Sequence, residues 1–406
     1  MVQTLRITRR GTFIAPFTLA LFVFASGASA ATGERIIHDF TGGTGGAHPQ
    51  IEPLKKGNDY FGVTVSGGGS ADCEGGCGTV YRLSGREVSI LHAFKGGDNG
   101  YAPVGPLIVY NQEFYGTTYY GGANDLGTIY KLSGDGTYTV LYSFVGGTQG
   151  LNPYGKLVAD AEGSIYGLAS GGVGNCFGGP CGTVYKLTAA GEYSVLHAFD
   201  PLKGEGTSAS YGLVKDSEGN FYGTTTFGGT GSGDQCSLYG CGTIYKITPE
   251  GVITFIRNFE GGVVDGSKPY GGLTIDANDN LYGTTYEGGG FEDNTGLGTV
   301  YKLTPTGQFT ILHSFHRNGA DAVLPYIGVS LDAQGNLYGA SYYGGANGDG
   351  AIFKVTPNGH ETILYSFSQP NGDFPSRPVP AARNSLIGVT DTGGANNFGT
   401  IYQLNY

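Results

Sequence analysis

Six cysteines fall in three close pairs, Cys73 with Cys77, Cys176 with Cys181 and Cys236 with Cys241. Thiols so placed could ligate a metal or form disulfides. A metal site would want paired histidines nearby, and none accompany these pairs, whose spacings also differ. Local disulfides are expected, each closing a short loop for ~2 kcal/mol in the chain-entropy picture. His38, His92, His197 and His313 share one repeated position, held elsewhere by Tyr142, Arg257 and Tyr365. A catalytic base is needed once, so a repeated histidine reads as structural. Asp160, Asp216, Asp276 and Asp332 could ligate calcium, but an aspartate opening a turn usually bonds its own backbone. The stretch Asp276-Ala277-Asn278-Asp279-Asn280 lacks the closing glutamate of a calcium loop. No Ser-His-Asp order, HExxH or phosphate loop is present. The best non-repeating polar residues are His48, His316 and Glu113, so the sequence points to no catalytic set, cofactor or metal.

Tyrosine and aspartate supply the binding candidates. Tyr120, Tyr286 and Tyr343 follow one repeated motif, and Tyr154, Tyr211, Tyr270 and Tyr326 precede another. A tyrosine ring offers a flat apolar face with a hydroxyl handle, suited to stacking on a sugar or anchoring a polypeptide. The second group recurs at a fixed position, so packing between units is the competing reading. Asp98, Asp265 and Asp321 lie in the same connections and are expected to line a central opening.

The elements that must position these residues are repeats. An aromatic or aliphatic residue followed by glycine and two small residues recurs seven times, with its glycine at Gly62, Gly116, Gly167, Gly223, Gly283, Gly339 and Gly388. Each is followed by Gly-Thr-Val/Ile-Tyr-Lys-Leu or a close variant, then by an aliphatic-Leu-His/Tyr-x-Phe motif. A fourth apolar segment often ends in aspartate. All are rich in Val, Ile, Tyr, Thr and Phe and bounded by Gly, Pro, Asn or Asp, which is strand punctuation. The order is strand A (Asp-ending), B (Tyr-Gly-Thr-Thr), C (Gly-Thr-Val-Tyr) and D (Leu-His-x-Phe). Four strands every ~50 residues indicate an all-β fold, a seven-bladed β-propeller with four-stranded blades. The mature chain opens on a D strand at Ile36 and closes on a C strand at Leu404, so the N-terminal strand is expected to complete the last blade and remove exposed edges.

The motifs Leu-Tyr-Gly-Thr-Thr, Gly-Gly and Gly-Thr-Val-Tyr-Lys-Leu-Thr-Pro-x-Gly resemble the GloVer-type tandem repeat of exported bacterial proteins. The resemblance spans residues 34–406. It implies a propeller and export, and no particular activity.

Glycine accounts for 77 of 406 residues, against a usual share near ~7%. With 29 tyrosines and 22 phenylalanines the chain can still bury a core, which argues against disorder. Residues 1–30 read as a signal peptide: Arg6, Arg9 and Arg10, an apolar run from Phe13 to Ala25, and Ala28-Ser29-Ala30 as cleavage site. Residues 31–406 then form one propeller domain with no membrane span. Removing three arginines takes the net charge from −11 to −14, which disfavours nucleic acid. The B-to-C and D-to-A connections share one face, and the long glycine-rich B-to-C loops there carry all the cysteines. Long loops on a rigid scaffold concentrate function. The expectation is a secreted or periplasmic monomer that binds an extracellular glycan or protein there without catalysis. A lyase or lactonase acting at the channel, or a scaffold in a surface assembly, are the alternatives.

Overall fold

A computed structural model describes residues 33–173, 176, 181–231, 236, 239–290, 296–316, 321–368, 372–381 and 384–406. The expected signal peptide lies outside the described residues. The fold is all-β, and no helix among the described residues is long and apolar enough to cross a membrane.

Each sequence copy folds as an antiparallel A-B-C-D ladder. The fifth is typical, with Leu273–Ile275, Leu281–Thr285, Thr299–Leu303 and Phe309–Ser314 paired in that order. Strand C is buried along its length except at Lys302, which is half-exposed. In the seventh copy the D position is filled by Gly33–Asp39, antiparallel to Thr400–Asn405.

The glycine inside strand B has a steric cause. A Cβ on Gly283 would lie 2.4 Å from the hydroxyl of Tyr301 on the paired strand. The equivalent glycines face Tyr81, Tyr130, Tyr185, Tyr245, Phe353 and Tyr402 in the same way. Each sheet thus seats one large ring against bare backbone. The hydroxyls of the six tyrosines are buried with no hydrogen-bond partner among the described residues, and the one phenylalanine in the series fits a site that asks nothing of that hydroxyl.

The A-to-B turns are built by the four aspartates that could have been calcium ligands. Asp276 accepts from the backbone N–H of Asn278 and Asn280, from Asn280 Nδ2 and from the Tyr282 hydroxyl, at 2.8–3.0 Å. Asp216 and Asp332 repeat this network, and Asp160 keeps its backbone and tyrosine arms. Burial alone would raise these carboxyls, but the bonds from the Asn or Ser and the Tyr outweigh it and hold all four below the ordinary value of 3.8. A depressed folded-state pKa contributes stability that is present above the unfolded value and lost as pH falls through the folded one. The unfolding free energy is therefore expected to decline as pH falls below that ordinary value. Asp276→Asn should flatten part of the decline, as read from denaturation midpoints against pH.

Successive copies touch along their A strands, whose approach depends on small residues. Lys156 in Leu151–Ala159 bridges Gly212 in Gly206–Lys215 in parallel, joining the third and fourth sheets. Gly328 N–H donates to Gly271 O at 3.0 Å. Ser330 Oγ donates to Pro378 O at 2.5 Å. Arg377 of the last copy pairs with Glu52 of the first, both 8% exposed.

A second contact between copies is invisible in the sequence. His48, Ala102, Asn152, Ser208, Lys268, Leu324 and Phe374, ahead of or at the start of strand A, all have φ between 48° and 58°, a sparsely populated region for non-glycine residues. In six of the seven, the N–H so aimed reaches the carbonyl preceding strand C of the copy before. Ser208 N donates to Cys181 O, Lys268 N to Cys241 O, and His48 N to Phe398 O at 2.9–3.0 Å.

Candidate functional site: a tyrosine-lined cleft

The D-to-A and B-to-C connections do share a face. Residues of the two sets bridge each other, Ala47 with Ser66, Tyr101 with Tyr120 and Ser267 with Glu287. The three cysteine pairs are disulfides in the B-to-C loops. The carbonyls of Cys77, Cys181 and Cys241 accept the N–H groups that lead into the next copy, so each disulfide anchors a loop where two copies join.

On this face Tyr154, Tyr211, Tyr270 and Tyr326 come together with Tyr119 around a cleft of about 380 Å³. Ser170, Ser208, Ser210 and Thr226 add hydroxyls to the lining. A more apolar cavity of about 330 Å³ adjoins it, shares Tyr119, Tyr154 and Tyr211, and adds Ile51, Val104 and Pro106. Tyr326 lies between two stacked neighbours, Tyr270 at 4.8 Å and Tyr342 at 5.1 Å between ring centroids. Tyr286 stands edge-on to Tyr270 and Tyr326. These offset and perpendicular contacts hold the rings rigid, at about 0.5–1.5 kcal/mol per pair beyond area burial. The Tyr154 hydroxyl donates to Ala209 O of the next copy at 2.7 Å, so this ring serves packing and cleft together.

Burial raises the phenols of Tyr154, Tyr211, Tyr270 and Tyr342. They remain neutral at physiological pH, giving a wall of uncharged rings and hydroxyls. Charge lies close beneath. After burial, Glu52 is the next influence raising Tyr211, while Arg377 opposes it. Lys156 is lowered first by burial, then by Arg377, with Glu52 opposing. Counted two residues before Leu54, Leu107, Leu157, Leu213, Leu273, Val329 and Val379, the copies read Glu52, Gly105, Gly155, Tyr211, Gly271, Ile327 and Arg377. Glu52, Tyr211 and Arg377 thus occupy a position where three copies need glycine. Aligning the copies on that residue would have exposed Glu52 and Arg377, which stand out neither as histidines nor as acids in a long loop.

The other candidates lie elsewhere. Tyr120 stacks on Tyr101 at 5.2 Å and Tyr343 pairs with Val323; they are 41% and 50% exposed and do not line the cleft. Asp98 is exposed in a 3-10 turn. Asp265 and Asp321 do not line an opening, because both are buried. Asp265 is held by Arg257 and by the N–H groups of Glu260 and Gly261, and Asp321 lies beside His313 and His316. The cause is the repeated histidine position, whose side chain reaches the acid eight residues on: His197 meets Glu205 at 2.8 Å and Arg257 meets Asp265. His48, His316 and Glu113 form no common cluster: they bond Asp391, Asp321 and Ser133 respectively.

Fold and site together define an all-β repeat protein with a concave, tyrosine-lined cleft on its loop-bearing face. The chain belongs to the Gloeobacter/Verrucomicrobia repeat family, whose model matches residues 22–178, 70–291 and 233–406. No curated protein sequence matches it. Among solved structures it is similar to the extracellular domain assigned to a one component system of B. thetaiotaomicron, at 12% identity and a TM-score of 0.55, covering 90% of this chain and 39% of that one. It is also similar to the extracellular domain assigned to a hybrid two component system of the same organism, at 11% identity and a TM-score of 0.53, covering 92% and 41%. The chain spans about two-fifths of each. A Bacteroides uniformis protein assigned as a 6-phosphogluconolactonase matches at 14% identity and a TM-score of 0.48, covering 78% and 83%. Likeness at such identity concerns the fold alone.

Proposed function

We propose that the protein is an exported seven-bladed β-propeller, closed by the N-terminal strand, that binds a carbohydrate in the tyrosine cleft without turning it over. Seven sequence copies, the pairing of Gly33–Asp39 with Thr400–Asn405 and the contact of Arg377 with Glu52 support the ring. The three disulfides and the likeness to extracellular domains support a location outside the cytoplasm.

The observation that carries the binding reading is the convergence of five tyrosines and four hydroxyl side chains on one cleft of about 380 Å³. Pockets for small ligands run to ~300–1,000 Å³, whereas a protein partner asks for a broader, flatter patch. Flat rings match the apolar face of a pyranose, and neutral hydroxyls match its equatorial groups. The protein acts as a monomer and, being acidic, does not take nucleic acid.

A propeller enzyme of lactonase or lyase type is the second reading, favoured by Glu52, Arg377 and Lys156 beneath Tyr211. A glycan array and a lactone panel run on the same purified protein separate the two. Retention of a discrete glycan class with no lactone turnover is expected; turnover without retention sinks the binding reading.

A further inference from the structure

One junction between copies brings a histidine and two carboxylates together. The first residue of strand D leans on the repeated histidine position of the copy before. Tyr138 stacks on His92 at 4.1 Å, Tyr193 on Tyr142 at 4.1 Å, and Phe309 lies 4.2 Å from the Arg257 guanidinium. In strand Glu361–Ser366 the residue in this register is Glu361, opposite Val355 as Tyr138 is opposite Leu132. Elsewhere this register holds Val88, Ile253 and Glu34, and Glu361 is the residue that faces both a histidine, His313, and a buried acid, Asp321. One ligand atom from each of the three lies within 4.8 Å of the others.

The arrangement is costly as bare protein. Two carboxylates converge away from water, where like charges repel most. His313 Nε2 and Glu361 Oε1 are buried without a hydrogen-bond partner among the described residues. His313 Nε2 lies 4.0 Å from Asp321 Oδ1, so this nitrogen faces the acids.

We propose that His313, Asp321 and Glu361 bind a divalent transition-metal ion, with Zn²⁺ the best match, at the junction of the fifth and sixth copies. One imidazole and two carboxylates suit zinc, with water completing the shell. Their two negative charges balance the ion. The metal would join strand D of one copy, the following connection and strand D of the next, and so staple two sheets.

The test is equilibrium dialysis of the purified, tag-free protein against buffered Zn²⁺, with metal content and thermal midpoint read together. One equivalent is expected, with a raised midpoint. Glu361→Gln and His313→Gln should each weaken uptake at least tenfold. His197→Gln, which alters a junction with only one acid partner, should leave uptake unchanged. Two variants guard against one failing to fold. No stoichiometric uptake by the wild type, or full uptake by a folded Glu361→Gln protein, overturns the proposal. In either case the carboxyl pair merely shares a proton.

Discussion

Arg377→Ala is expected to destabilise the protein by about 3–5 kcal/mol, because removing one partner of a buried ion pair leaves the other charge uncompensated. Glu52 would keep its buried carboxylate, with Lys156 a remaining cation within its electrostatic reach. One Glu52 oxygen already lacks a hydrogen-bond partner among the described residues, so the loss falls on an acid with little reserve. Arg377 and Glu52 belong to the last and first copies, and the loss is therefore predicted to appear in global unfolding. The double variant Glu52→Gln, Arg377→Met should recover most of it, since an apolar or neutral replacement of both partners is often tolerated. Guanidinium unfolding of the three proteins checks the cycle. A loss under about 1 kcal/mol, the range of exposed pairs, would mean that the two copies do not meet in a dry contact.

Gly212→Ala should be at least as damaging. Gly212 has φ +110°, and a Cβ there would lie 2.3 Å from Lys156 N and 2.5 Å from Lys156 O. Both are backbone atoms of the neighbouring inner strand and cannot rotate away. Overpacking typically costs about 1–3 kcal/mol, and the unfavourable φ adds to it. A total near ~3 kcal/mol or more, or failure to accumulate folded protein, is expected. Gly191→Ala is the control: it also has positive φ, +87°, but nothing lies within 4 Å of the place its new methyl group would take, so only the backbone penalty of about 1–2 kcal/mol applies. Equal losses in the two variants would show that the inner strands are not in contact.

Strand order and strand type were legible because each copy repeats its own punctuation. Tyr-Gly-Thr-Thr and Gly-Thr-Val-Tyr-Lys-Leu mark B and C wherever they occur, and Asp276 and Asp332 begin turns that the side chains themselves build. The cysteine pairs were legible for the same reason of locality. The convergence of Tyr154, Tyr270 and Tyr326 was visible only as a shared repeat position, since a fixed register places a residue on a face without saying how deep the face is; Tyr211 falls one place later, where Gly155 and Gly271 stand. Asp265 and Asp321 were misplaced because their partners, Arg257 and His313, stand eight residues earlier on the outer strand and draw them inward. Glu52 and Arg377 escaped notice because 325 residues separate them. Only the approach of first and last copies gives them meaning. The seven left-handed residues at the approach to strand A carry no common residue type, from His48 to Phe374, and in six of them the geometry serves the contact between copies.

The most direct test of the proposed function is calorimetric titration of the saccharide selected by the array into the wild type and into Tyr270→Ala, Tyr326→Ala. Tyr326 is 36% exposed, so its truncation leaves the core intact. Loss of anchoring rings from a binding site costs about 2 kcal/mol or more, and binding at least thirtyfold weaker is predicted for a protein whose unfolding midpoint is little changed. Affinity within twofold of the wild type would place the ligand elsewhere and contradict the account.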